Sequence, residues 1–336
     1  MPRQQTFHIR QHGVAIITAL LIMAIVATIS ITLARHVQMD VRRTGNIIAN
    51  EQALMFITGA EEFAKYGLKL DRQNNATDND YELRAQPRTF PFVGGTLTGI
   101  IKGQQGCFNI NNLYTGNTAL DALAKQRFQL LLSTLKLNPG LADAVIDWID
   151  PDLNTTLPDG AEDGYYTNLP TPYRTSNQPM QSLSELRLVK GFNAVPSNNT
   201  GTAAAQGTVY DIISPFLCAF GVPASINVNT APAEVLRSLS PNLTQIQADA
   251  IVANIKNLKD PATGEVVGYS SVTDMINLNK LSTVITNTTG LSVTTDYFLL
   301  VSNVITSQSR VQMFSLLYRD PNSGETSVLR HSIGAY

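Results

Sequence analysis

Histidine and cysteine are scarce in this 336-residue chain. His8, His12, His36 and His331 are scattered towards the two ends, and Cys107 and Cys218 stand far apart. Neither set has the close spacing of a zinc knuckle or a CxxC redox pair, which argues against a His/Cys metalloenzyme. Charge is thin as well: charged residues make up 15%, against about 25% in ordinary soluble domains. Lys+Arg 24 against Asp+Glu 26 leaves a net charge of −2, so no global basic field exists to hold nucleic acid. With one tryptophan, Trp148, the chain is poor in the aromatics that line a saccharide cleft between paired carboxylates. It also lacks GxSxG and any recognisable Ser/His/Asp pattern, and an enzyme is not expected. Apolar residues, at 43%, are ample for a sizeable core, and the length predicts about two domains.

The apolar residues are concentrated. Residues 14–34 read VAIITALLIMAIVATISITLA without a charge, and as a helix they span roughly 31 Å, one bilayer. A cleavable secretory signal has an apolar core of about 7–15 residues followed by a small-residue cut site. This run is longer and ends directly in Arg35. Arg3 and Arg10 precede it, and Arg35, Arg42 and Arg43 with Asp40 follow, so the flanking charges barely decide orientation. An N-terminus inside and a bulk outside is the orientation adopted.

Past this run, residues 35–70 stay helix-compatible, with Leu54, Ile57, Ala60, Ala64 and Leu68 on one stripe. Gly45 and Gly59 each weaken a helix by about 1 kcal/mol and mark places for a bend. Residues 71–80 (DRQNNATDND) read as a loop and 96–102 (TLTGIIK) as a strand. Near the other end, residues 297–305, 310–318 and 326–332 form a predicted three-strand antiparallel meander. A helix with one isolated strand cannot close a core, so 96–102 is expected to pair with that meander across the intervening residues. The expected class is α+β: a long N-terminal helix packed on an antiparallel sheet, discontinuous over 35–106 and 292–336, with an inserted all-α domain at 107–291.

The insertion carries a faint repeat. Asn109-Ile110-Asn111 precedes an Ala142-Asp143-Ala144-Val145-Ile146 segment, and Asn227-Val228-Asn229 precedes Ala248-Asp249-Ala250-Ile251-Val252. Two copies of one helical unit follow, each opened by an asparagine turn, with Thr230 as N-cap in the second. The stretch INVNTAPAEVLRSL is similar to a helix-hairpin-helix element, which makes a membrane-anchored periplasmic DNA-binding protein the alternative function. Such modules hold phosphate with glycine-rich hairpins and nearby bases. Between Leu236 and Ile251 there is no glycine and only Arg237 is basic.

Between the two copies, Asp147, Asp150, Asp152, Asp159, Glu162 and Asp163 place six carboxylates within 17 residues, with no Lys or Arg among them. A hard cation with six to eight oxygen ligands relieves such crowding, and calcium is the natural candidate outside the cytoplasm. The alternative is a solvated acidic loop whose aspartates cap helices. The spacing is not that of an EF-hand.

A short basic leader ending in His12-Gly13, with the apolar run opening at Val14, resembles the signal of the type IV pilin superfamily. That resemblance implies cleavage after Gly13 by a prepilin peptidase at the cytoplasmic face, leaving a methylated Val14 at the mature N-terminus. At mature position five that superfamily carries Glu, where this chain has Thr18. A carboxylate inside a bilayer is costly unless paired, and a subunit with no neighbour above it needs none. DWIDPD, then GAEDGYYTNLPTPYRTSNQPMQSLSELRLVKGF at 160–192, then INVNTAPAEVL at 226–236 are similar to successive signatures of the protein K family of type II secretion minor pseudopilins. The resemblance implies a tip subunit of the pseudopilus, anchored in the inner membrane and complexed with minor pseudopilins I and J beside other pseudopilins. It also implies calcium in the insertion, with Asp150, Asp152, Asp159, Glu162 and Asp163 as the ligand pool. Asp147, one helical turn before Asp150, has a structural role as its alternative. In an oxidising periplasm Cys107 and Cys218 are either bonded or two buried thiols.

Overall fold

The computed structural model describes residues 12–196, 207–307 and 309–334. Residues 1–11 of the expected leader lie outside them. Helix α1 (His12–Asn74) is unbroken over 63 residues, about 94 Å, and passes through Gly45 and Gly59 without interruption. Its lower part is exposed along its length and is long and apolar enough to cross a membrane. Thr18 returns its hydroxyl to the carbonyls of Val14 and Ala15 at 3.1 and 3.0 Å, so its polar group is spent within the helix.

The upper part of α1 packs on a sheet. Strands β1 (Arg88–Phe92) and β2 (Gly95–Gly103) precede the insertion. Within it lie β3 (Phe108–Asn109), α2 (Thr118–Thr134), α3 (Leu141–Ile149), α4 (Asp163–Tyr166), α5 (Val209–Ile213), β4 (Leu217–Cys218), β5 (Ile226–Asn227), α6 (Ala233–Arg237), α7 (Gln245–Ile255), α8 (Val272–Leu278) and β6 (Leu291–Ser292). Then come β7 (Tyr297–Thr306), β8 (Arg310–Arg319) and β9 (Thr326–Ile333). The sheet order is β1-β2-β7-β8-β9, antiparallel throughout. The β2–β7 ladder runs from Gly95↔Thr306 to Gly103↔Phe298, so neighbours in space are separated by the whole insertion in sequence.

Both faces of the central strands are covered, which explains why β7 reads as a continuous apolar run rather than an alternating one. On one face Ala53, Ile57, Ala64 and Leu68 of α1 bury against Phe298, Leu300, Val304, Met313 and Leu317; the alanines let the helix approach closely. On the other, Phe220 from the insertion stacks on Tyr297 with ring centroids 4.1 Å apart, beside Leu316. Most of the remaining core belongs to the insertion itself.

Two local differences from the sequence reading have physical causes. The expected loop at 71–80 begins only after Asn74, because Arg72 donates to the Pro321 carbonyl and Asp71 pairs with Arg319, holding the last polar turn helical. The insertion is helical but also contains two parallel strand pairs, β3–β4 and β5–β6, each two residues long. These occur where the asparagine turns run in. Asn111 receives the Met180 N–H at 2.8 Å and donates to its carbonyl at 3.0 Å; Asn229 treats Tyr269 the same way at 2.8 and 3.1 Å. Thr230 is not a cap: its hydroxyl donates to the Asn227 carbonyl, and Pro232 precedes α6.

Candidate metal centre

The acidic segment is organised around α3, whose buried face carries Asp143, Asp147 and Asp150 at successive turns. Asp150 is the residue at which the helix stops. From there the chain loops outward and returns, and Asp147 closes the loop by accepting the Thr156 N–H at 3.0 and 3.2 Å. The return passes so close that a Cβ on Gly160 would meet Asp147 Oδ2 at 2.2 Å and the Thr156 carbonyl at 2.3 Å. Glycine is required there by approach rather than by backbone angle.

The fold-back brings Asp150, Asp152 and Glu162 together, with a carboxylate oxygen of each within 4.8 Å of the others. Asp159 and Asp163 are not in this group. Asp159 lies at the opposite end of α3, its carboxylate standing over Gly140, where a Cβ would come within 1.8 Å of Oδ2. Nine helical residues, about 13 Å, separate it from Asp150. Asp163 accepts the Thr175 N–H and hydroxyl at 3.1 and 3.0 Å, securing the loop that follows α4. Asp147 is fully buried and accepts the Thr156 N–H of the loop.

Asp150 and Glu162 are each 6% exposed, and Asp150 Oδ1 and Glu162 Oε1 are buried without a hydrogen-bond donor. Burial, reinforced by repulsion from Asp152 and Asp147, pushes Asp150 up to about 6. Burial, with Asp147 and Asp150 repelling, pushes Glu162 up to about 7. Among the described residues no ion pair reaches Asp150, Asp152 or Glu162; the nearby Lys190 donates to the carbonyls of Asp159 and Gly160 instead.

A second acidic group gives the contrast. Asp71, Asp78 and Glu82 also bring three carboxylate oxygens within 4.8 Å. Here Arg319, 1% exposed, pairs with Asp78 at 2.6 Å and Asp71 at 2.9 Å, and Arg84 pairs with Asp78 at 2.7 Å and Glu82 at 2.8 Å. Both guanidiniums lie over the Phe298 ring. That group has its cations within the chain; among the described residues the first has none. Buried oxygens that lack donors and bases fit a hard divalent cation.

Cys107 and Cys218 are joined by a disulfide, with Cα atoms 5.8 Å apart, at the β3–β4 pair. In the helix-hairpin-helix-like segment, Arg237 donates to the Ser240 carbonyl and so serves its own turn.

A spanning stem helix continued onto an antiparallel sheet, with a helical insertion between strands of that sheet, defines a pilin-like, membrane-anchored subunit. Residues 106–198 and 226–294 match family descriptions reading type II secretion system (T2SS), protein K. Type II secretion system protein K of Pseudomonas aeruginosa is 31% identical over 338 residues, covering 96% of this chain and 93% of that protein. That of Aeromonas hydrophila is 33% identical over 67% of this chain and 69% of the relative. A chain in the crystal structure of the GspK-GspI-GspJ complex from enterotoxigenic Escherichia coli superposes with a TM-score of 0.67 at 26% identity, over 88% of this chain and 100% of the other. The chain belongs to the protein K family of type II secretion minor pseudopilins.

Proposed function

We propose that this subunit caps and initiates the type II secretion pseudopilus, with its N-terminus in the cytoplasm, its stem in the inner membrane and its bulk in the periplasm. The observation that carries this is the insertion between β2 and β7, which adds a second, larger core to the body formed by the stem and the sheet. A subunit so enlarged suits the end of a narrow filament. Thr18, where pilins place a glutamate, supports the same position, because a terminal subunit has no neighbour for that carboxylate to meet. The solved relative is named in complex with GspI and GspJ, which makes minor pseudopilins I and J the proposed partners. The role is structural rather than enzymatic. Cleavage between Gly13 and Val14 by prepilin peptidase belongs to the same proposal.

Asp150, Asp152 and Glu162 would hold calcium in the insertion, where it supplies positive charge that ties the 150–162 loop to the end of α3. Deleting the gene should abolish or lengthen pseudopili and impair export of secreted protein; secretion and filament length unchanged in the deletion would overturn the proposal.

A further inference from the structure

Among the described residues, four buried carboxylate or amide oxygens besides Asp143 Oδ1, which has the Lys125 ammonium at 2.7 Å, find no hydrogen-bond donor. They are Asp150 Oδ1, Glu162 Oε1, Asn177 Oδ1 and Asn303 Oδ1. Asn303 is in β7, in the sheet, but Asn177 belongs to the acidic neighbourhood. Its N–H donates to the Trp148 carbonyl at 3.0 Å, two residues before Asp150. Two residues earlier in its own segment, the Thr175 hydroxyl, bonded to Asp163 at 3.0 Å, shares that proton with Glu162 Oε2 at 3.4 Å. The 175–177 segment is therefore tied on one side to the end of α3 and on the other to Glu162. Asn177 also holds a left-handed backbone, φ 49°, a conformation that asparagine adopts more readily than most residues.

We propose that Asn177 Oδ1 is a neutral ligand of the cation site, joining Asp150, Asp152 and Glu162; this rests on the calcium reading above. One cation is shared by all of these oxygens at once, carboxylate and amide alike. Carboxylates supplemented by an uncharged amide oxygen are the donor set calcium takes.

The test is a calcium chloride titration of the full chain in detergent micelles, read by the emission of Trp148, the single tryptophan, and by the melting midpoint. Asn177→Gly deletes the amide while keeping a residue that accepts positive φ without strain, and Asn177→Asp keeps an oxygen. With calcium chelated, the glycine variant should melt close to the wild type. Its calcium affinity should fall at least about tenfold, a loss of the size seen when metal-site partners are removed, while the aspartate variant should bind tightly. Wild-type and glycine proteins binding calcium equally would overturn the role of Asn177 and leave the site standing; a shifted Trp148 emission alongside would assign Asn177 to the indole N–H. No calcium response in the wild type would overturn the site and the ligand together.

Discussion

Glu82 illustrates what an acid costs even when arginines are at hand. Burial pushes its carboxyl up to about 7, against the pull of Arg84 and with Asp71 and Asp78 repelling it. The folded state thus holds the Glu82 proton more tightly than the unfolded chain, where a glutamate titrates near about 4.3. Stability from this group is greatest below that value, declines as pH rises towards 7, and is flat above. The melting midpoint of the wild type should fall more steeply from pH 5 to 7.5 than that of Glu82→Gln; parallel profiles would remove Glu82 as the source. None of this was legible in sequence, because Arg319 lies 241 residues from Asp78. The acidic segment at 147–163 was legible as a cluster but not as a site. Only the return of the chain past Gly160 decides that Glu162 joins Asp150 while Asp159 goes to the other end of α3.

At the scale of elements, the strands with clean β-rich patterns and punctuated ends were readable to within a residue or two: residues 96–102, and the meander at the C-terminal end. Strand β1 was not, since Pro91 within RTFPF argues against a strand; it is accommodated because β1 is the sheet edge, where one side of the backbone needs no partner. The asparagine turns were visible as a repeat, but as helix openings only. Their buried second asparagine acts as a substitute peptide group, bonding both the N–H and the C=O of one distant residue. Replacing Asn229 by Ala strands both groups of Tyr269, at about 1–3 kcal/mol each, so urea denaturation should show a loss of about 3 kcal/mol. A change within 0.5 kcal/mol, the range of ordinary surface substitutions, would mean that Tyr269 finds other partners.

For the whole molecule, the expected nesting becomes a question of whether the outer body stands alone. Gly103 and Phe298 already face each other across the β2–β7 ladder. Excising residues 104–297 and inserting Asn-Gly should close β2 and β7 into an ordinary two-residue hairpin. The product should keep its β-sheet circular dichroism and melt cooperatively, at a lower midpoint because Phe220 no longer covers Leu316. A non-cooperative melt would make the insertion part of one indivisible core.

The unbroken stem has a mechanical consequence. Its last turn is fastened at Asp71 and Arg72 to the far end of β8 and the turn beyond it, and Arg319 grips in the same hand Asp78, whose carbonyl holds Asn227 of the insertion. Among the described residues no hinge lies between the spanning segment and this knot. A thrust delivered to the stem from below would therefore reach the sheet and the insertion together, through the one set of buried bonds that fastens both to the end of the helix.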